Sequence, residues 1–82
     1  MRLDKYLKIS RIIKRRTVAN EACDAGRVQV NGKIAKASLE VSVGDEIAIR
    51  FGDKQTTVRV LAIKETVRKE EAASLYEMIE HL

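Results

Sequence analysis

The chain contains no proline, one cysteine, one histidine and three aromatic residues, Tyr6, Phe51 and Tyr76. A single cysteine, Cys23, excludes an internal disulfide and any multi-cysteine metal site, and fits a reducing compartment, so the expected location is the cytoplasm. The lone histidine, His81, lies one residue from the carboxyl end, where fraying is expected, and makes a poor base or ligand. Signatures of nucleotide-binding loops, nucleophile elbows, dinucleotide-binding turns and zinc proteases are missing. The paired acids Asp45-Glu46 and Glu70-Glu71 are adjacent and diverge on either a strand or a helix. No catalytic residue, metal or cofactor is therefore expected. The start, "MRLDKYLK", carries no apolar run of signal-peptide length, and Val60 to Ile63 is far too short to span a bilayer, so no membrane partner is expected.

What is present is charge, unevenly placed. Residues 1–36 hold ten bases against three acids, a net of +7, and the remainder holds six against nine, −3, which together return the chain's +4. A cationic first half beside a mildly acidic second half favours a polyanion met by one face. With 82 residues and aliphatic side chains dominating the apolar set, one domain with one modest core is expected over 1–82.

Periodicity predicts an α+β fold. Leu3 and Leu7 share one face of a helix over Arg2 to Ile9, with Lys5 opposite and Arg2 and Lys8 flanking. Only Lys8 has an acid at helical spacing, Asp4, which leaves Arg2 and Lys5 unpaired. A second helix is expected from Lys14 or Thr17 to Ala25, its apolar face formed by Val18, Ala19, Ala22, Cys23 and Ala25, with Gly26 as the left-handed terminator. The period then changes to two. "RVQVNGKIA" reads as a hairpin with Val28 and Val30 inward and Asn31-Gly32 as its turn. "VSVGDEIAIRF" supplies a strand with Ile47, Ile49 and Phe51 on one face, and "TTVRVLAI" another, with Val58, Val60 and Ala62 alternating. A small antiparallel sheet of three to five strands should follow the two helices. Ala72, Leu75, Tyr76 and Ile79 follow helical spacing and predict a C-terminal helical extension over about 68–81.

One local feature conflicts with helix electrostatics. Lys14, Arg15 and Arg16 stand where the second helix begins, against the positive end of its dipole, and no acid lies three or four residues on. Each such cation costs about 0.3 to 1 kcal/mol at low salt. A bound phosphate reverses the sign, because first-turn N–H groups, dipole and guanidinium forks all favour an anion there. Arg2, Lys5 and Lys8 would extend this surface, with Arg11 in the connection and Arg27 and Lys33 on the hairpin. So few aromatics argue against a base-stacking platform, leaving recognition of phosphate and backbone shape. On these residues alone the target is a structured polyanion. A protein-interaction adaptor with a merely solvated basic face, a DNA-binding module and a fragment of an RNA-modifying enzyme remain open.

Four linked blocks narrow the choice. "RLDKYL", "RRT-V-A", "AGRVQVNGK" and "VGDEI" together resemble, in order and spacing, the S4 RNA-binding domain family. The resemblance implies a compact αL-type module in which two helices and the following hairpin grip structured RNA. It implies RNA-facing roles for Arg2, Lys5, Arg15, Arg16 and Arg27, with Lys14 and Lys33 as neighbours and Asn31-Gly32 structural. "KRRT" beside "ETVRKEEAASLYE" resembles the small stand-alone members related to heat-shock protein 15. Lacking a long basic tail after Leu82, the chain looks closer to the short RqcP-type ribosome-quality-control factors. Such a likeness implies a monomer that binds large-subunit ribosomal RNA and peptidyl-tRNA. It would act with a protein partner in carboxyl-terminal tailing of stalled chains.

Overall fold

The computed structural model describes residues 1–79. Helix α1 (Leu3–Ile9) and helix α2 (Arg16–Asp24) precede strands β1 (Val28–Val30), β2 (Lys33–Ile34), β3 (Glu46–Phe51) and β4 (Lys54–Val60). A 3₁₀ helix (Lys69–Leu75) leads into strand β5 (Tyr76–Ile79). All five strands form one antiparallel sheet in the order β2-β1-β3-β4-β5. The α+β class and the two leading helices agree with the sequence, and the sheet reaches the upper end of the expected strand count.

Helix α1 turns Leu3, Tyr6 and Leu7 into the core. No side chain caps its start; instead the Leu3 and Asp4 N–H groups donate to the carbonyl oxygens of Leu39 and Ala37 at 2.8 and 3.2 Å. The segment before β3 thus satisfies donors that a helix start leaves orphaned. Helix α2 buries Ala19 and Cys23, whereas Val18, expected on that apolar face, is 45% exposed. Close approach of α2 therefore rests on small side chains, Ala19 and Cys23 with the half-buried Ala22 packed against the same core, while Ala25, also expected on this face, is exposed. Gly26 takes φ +75°, as its place after α2 requires.

The β1–β2 turn has the expected chemistry, with Asn31 at φ 52° and Gly32 at φ 83°, both left-handed as in a type I′ turn. Asn31 also ties the hairpin to β3: its Oδ1 accepts the Glu46 N–H at 3.0 Å and its Nδ2 donates to Asp45 at 3.1 Å. Val28, Val30, Ile47, Ile49, Val58 and Val60 fill the core beneath the helices. Phe51 shares their parity but is the last residue of β3 and stays exposed.

The C-terminal segment departs from the predicted helix. It starts helically, as a 3₁₀ helix with Ala72 and Leu75 buried, but Tyr76 turns extended at φ −147° and ψ 165° and begins a strand. The reason is visible at Leu75. Its carbonyl oxygen accepts the Tyr6 hydroxyl at 2.7 Å and the Leu61 and Ala62 N–H groups at 2.8 and 3.2 Å. A carbonyl so occupied is not free to continue a helix, and the open edge of β4 takes Tyr76–Ile79 instead, pairing Val60 with Tyr76 and Val58 with Met78. The rest of the predicted extension, and His81, lie outside the described residues. No helix among the described residues is long and apolar enough to cross a membrane.

Candidate nucleic-acid interface

Asp4 is only 2% exposed, on the α1 face turned toward α2. Its carboxylate accepts the Lys5 N–H at 2.8 Å, the Asn20 amide at 3.2 Å and the Arg2 guanidinium at 3.2 and 3.3 Å. Arg16, the first residue of α2, reaches the same carboxylate at 3.5 Å. Burial disfavours ionisation, but the hydrogen bonds from Asn20, Arg2 and Arg16 outweigh it and hold the Asp4 carboxyl below the usual range.

Asp4 corrects two expectations. Arg2 is not unpaired, because it lies in the extended residue before α1 and folds back on Asp4, a contact that helical spacing does not represent. Arg16 also has an acid, supplied from the neighbouring helix instead of its own. Lys5 is likewise paired, with Glu65 from the segment after β4. That contact lowers the Glu65 carboxyl, through the Lys5 hydrogen bond first and its charge second. Lys14 and Arg15 make no ion pair among the described residues.

Beside this hub lies an open cleft of about 310 Å³. Lys5, Lys8, Arg11, Lys14 and Arg16 line it, with Ile9, Glu65, Thr66 and Val67 completing the walls. Five of the nine predicted site residues thus converge, facing a single acid, Glu65, among the described residues. Arg11 stands at φ 61°, a left-handed conformation that costs a side-chain-bearing residue about 1 to 2 kcal/mol. Bonds from its N–H to the Lys8 carbonyl at 3.1 Å and from the Ile13 N–H to Leu7 at 3.1 Å hold the reversal. This strained corner turns the chain from α1 into α2 and brings Lys8, Arg11 and Lys14 to one opening. Helix α2 starts there without a side-chain cap, Arg15 being the extended residue before it.

The remaining predicted residues lie elsewhere. Arg2 flanks the hub, and Arg15 is exposed outside the cleft lining. Arg27 lies at the start of β1 and lines a recess on the far side of the sheet. Lys33 is exposed on the short edge strand β2. Sequence reasoning missed Asp4 and Asn20 as the residues that orient Arg2 and Arg16, and 65–67 as a wall. Asp4 left a signal: it sits within the Leu3/Leu7 turn, where an acid at the margin of a buried face needs partners.

Cys23 is buried, and burial first, then the Asp4 and Asp24 carboxylates, push its thiol up to about 11. It is a packing residue, as its place on the small-residue face of α2 predicts.

A model of the S4 domain matches residues 1–47. The chain is 62% identical to the RQC P-site tRNA stabilizing factor of Halalkalibacterium halodurans, across 95% of this chain and 89% of that protein. It is 58% identical to the protein of the same name from Streptococcus pneumoniae, across 96% and 90%. Among solved structures, trimeric heat shock protein 15 of Vibrio cholerae matches with a TM-score of 0.89 at 35% identity, covering 96% of this chain and 81% of that one.

Proposed function

The chain belongs to the S4 domain family, and on that premise we propose that it is a non-catalytic RNA-binding factor of the large ribosomal subunit, ribosome-associated in the cytoplasm. The observation that carries this reading is the cleft in which Lys5, Lys8, Arg11, Lys14 and Arg16 face one acid among the described residues. Cations gathered against a helix start are unfavourable until a phosphate joins them, and then dipole, N–H groups and side chains act together. Asp4 contributes by fixing Arg16 and Arg2, so that less side-chain freedom is lost when RNA binds. Lys8, Lys14 and Arg15 carry unneutralised charge to the phosphates, with Arg27 and Lys33 on the hairpin side.

The name shared by the two relatives, RQC P-site tRNA stabilizing factor, supports the finer reading that the chain steadies P-site tRNA; its place beside ribosomal RNA while a stalled nascent chain is tailed is our extension of that reading. It would do so as a monomer, with a protein partner performing the chemistry. Phosphate contacts dominate such binding, so affinity should fall steeply with salt. Sucrose-gradient fractionation of cell extract tests this. The chain should travel with free large subunits carrying peptidyl-tRNA at low salt and leave them as salt rises. Absence from ribosomal fractions at low salt overturns the reading.

A further inference from the structure

The face of the sheet turned away from the helices carries a second set of cations. Register aligns Gln29, Ala48 and Thr57 in one row and Arg50 with Gln55 in the next, all opposite to the core-facing Val28, Ile47, Ile49 and Val58. Where this face meets the start of β1, Arg27 and Arg50 line one recess of about 190 Å³, with Gln29 and Gln55 beside them and no acid in its walls among the described residues. The Arg50 N–H donates to the Arg27 carbonyl at 2.9 Å, so the two side chains spring from paired backbone positions.

The same face provides its own contrast. Arg59 is neutralised by Glu46 at 3.8 Å and Glu77 at 2.5 Å. Neither Arg27 nor Arg50 makes an ion pair among the described residues. Like charges set across neighbouring strands repel. An anion between two guanidinium forks removes that repulsion, and two glutamine amides add neutral donors around it. The cleft cations come from α1, the α1–α2 connection and the start of α2, so the sheet separates the two sites.

We infer that Arg27 and Arg50 form a second anion site on the outer face of the sheet, taking a phosphodiester of an RNA segment distinct from the one in the cleft. The inference rests on the RNA-binding reading of the cleft and adds Arg50, which no motif singled out. A phosphodiester suits the recess better than a carboxylate side chain, because its two non-bridging and two ester oxygens, set tetrahedrally, can accept from the two forks and two amides in more directions than the two coplanar oxygens of a carboxylate.

The test measures binding of the full chain to purified large ribosomal subunits, and to large-subunit ribosomal RNA stripped of protein, at several salt concentrations. Arg50→Ala and Arg50→Gln should weaken binding to both probes. Each should also reduce the ratio of affinities at about 50 and about 200 mM salt by about three-fold, the loss of one phosphate contact. Arg59→Ala, on the same face but already neutralised, should bind as the parent does. If both Arg50 variants bind like the parent while Lys14→Ala weakens binding, the outer site is overturned and the cleft stands. If Lys14→Ala is also without effect, the RNA reading falls with it. A loss confined to protein-bearing subunits would assign the face to a protein partner and overturn the inference.

Discussion

Asp4→Asn is the perturbation whose consequence can be worked furthest from the structure. The substitution keeps the size of the side chain, removes its charge and turns an N–H₂ toward donors. Arg2 and Arg16 are each 47% exposed, so their ion pairs with Asp4 count as surface pairs, about 0.2 to 1 kcal/mol apiece. A misplaced donor in a site that is 2% exposed adds about 1 to 3 kcal/mol. Together these give a loss of about 1.4 to 5 kcal/mol, which in a domain of this size lowers Tm by roughly 6 to 40 °C. The pH dependence follows from the lowered carboxyl. In the unfolded chain Asp4 titrates near its ordinary 3.8, and in the folded chain below it, so its stabilisation is complete above that value. It is lost as pH falls through the folded value. Thermal unfolding followed by far-ultraviolet circular dichroism at neutral pH and at about pH 2 should therefore show a large gap between parent and variant that narrows in acid. Equal melting temperatures at neutral pH, or a gap undiminished in acid, would refute the hub. Arg16→Ala is the matched comparison. It loses one half-exposed pair but relieves a cation at a helix start, about 0.3 to 1 kcal/mol in return, so Tm should move by less than about 5 °C while RNA binding weakens.

Arg11→Gly should separate stability from function. Glycine accepts the φ of 61° without strain, so Tm should hold or rise by a few degrees, roughly 0 to 1 kcal/mol, while subunit binding weakens through the lost cation; a clear fall in Tm would count against strain at this corner. Tyr6→Phe removes the 2.7 Å bond to Leu75, whose carbonyl keeps two N–H donors, and should cost about 1 kcal/mol in urea unfolding. No change there would deny Tyr6 its part in ending the 3₁₀ helix. Cys23, with its thiol pushed up to about 11, should react with a disulfide reagent at pH 8 far more slowly in the native chain than in urea, and equal rates would contradict its burial.

Elements whose cause is local were legible in the sequence. Leu3 and Leu7 define α1, and Asn31-Gly32 demands the left-handed turn that the structure contains. Strand β5 was not legible, because the spacing of Ala72, Leu75, Tyr76 and Ile79 satisfies a helix. What ends the helix is the capture of the Leu75 carbonyl by Tyr6, Leu61 and Ala62, all remote in sequence. The site divides along the same line. Charge asymmetry exposed the cations, and the conflict at α2 pointed to an anion. The pairing of Arg16 with Asp4 and of Lys5 with Glu65 crosses between elements, beyond any rule based on spacing within one helix.

The central claim is that phosphate enters the cleft, and Lys8 and Lys14 test it most directly. Both line the cleft and neither makes an ion pair among the described residues, so their removal leaves the Asp4 hub intact. Binding to purified large ribosomal subunits should be measured across a salt series for the parent and a Lys8→Ala/Lys14→Ala variant of matched Tm. Loss of two phosphate contacts predicts weaker binding and a plot of log affinity against log salt shallower by about 1.4 to 1.8. A variant whose affinity and slope both match the parent's would contradict the account.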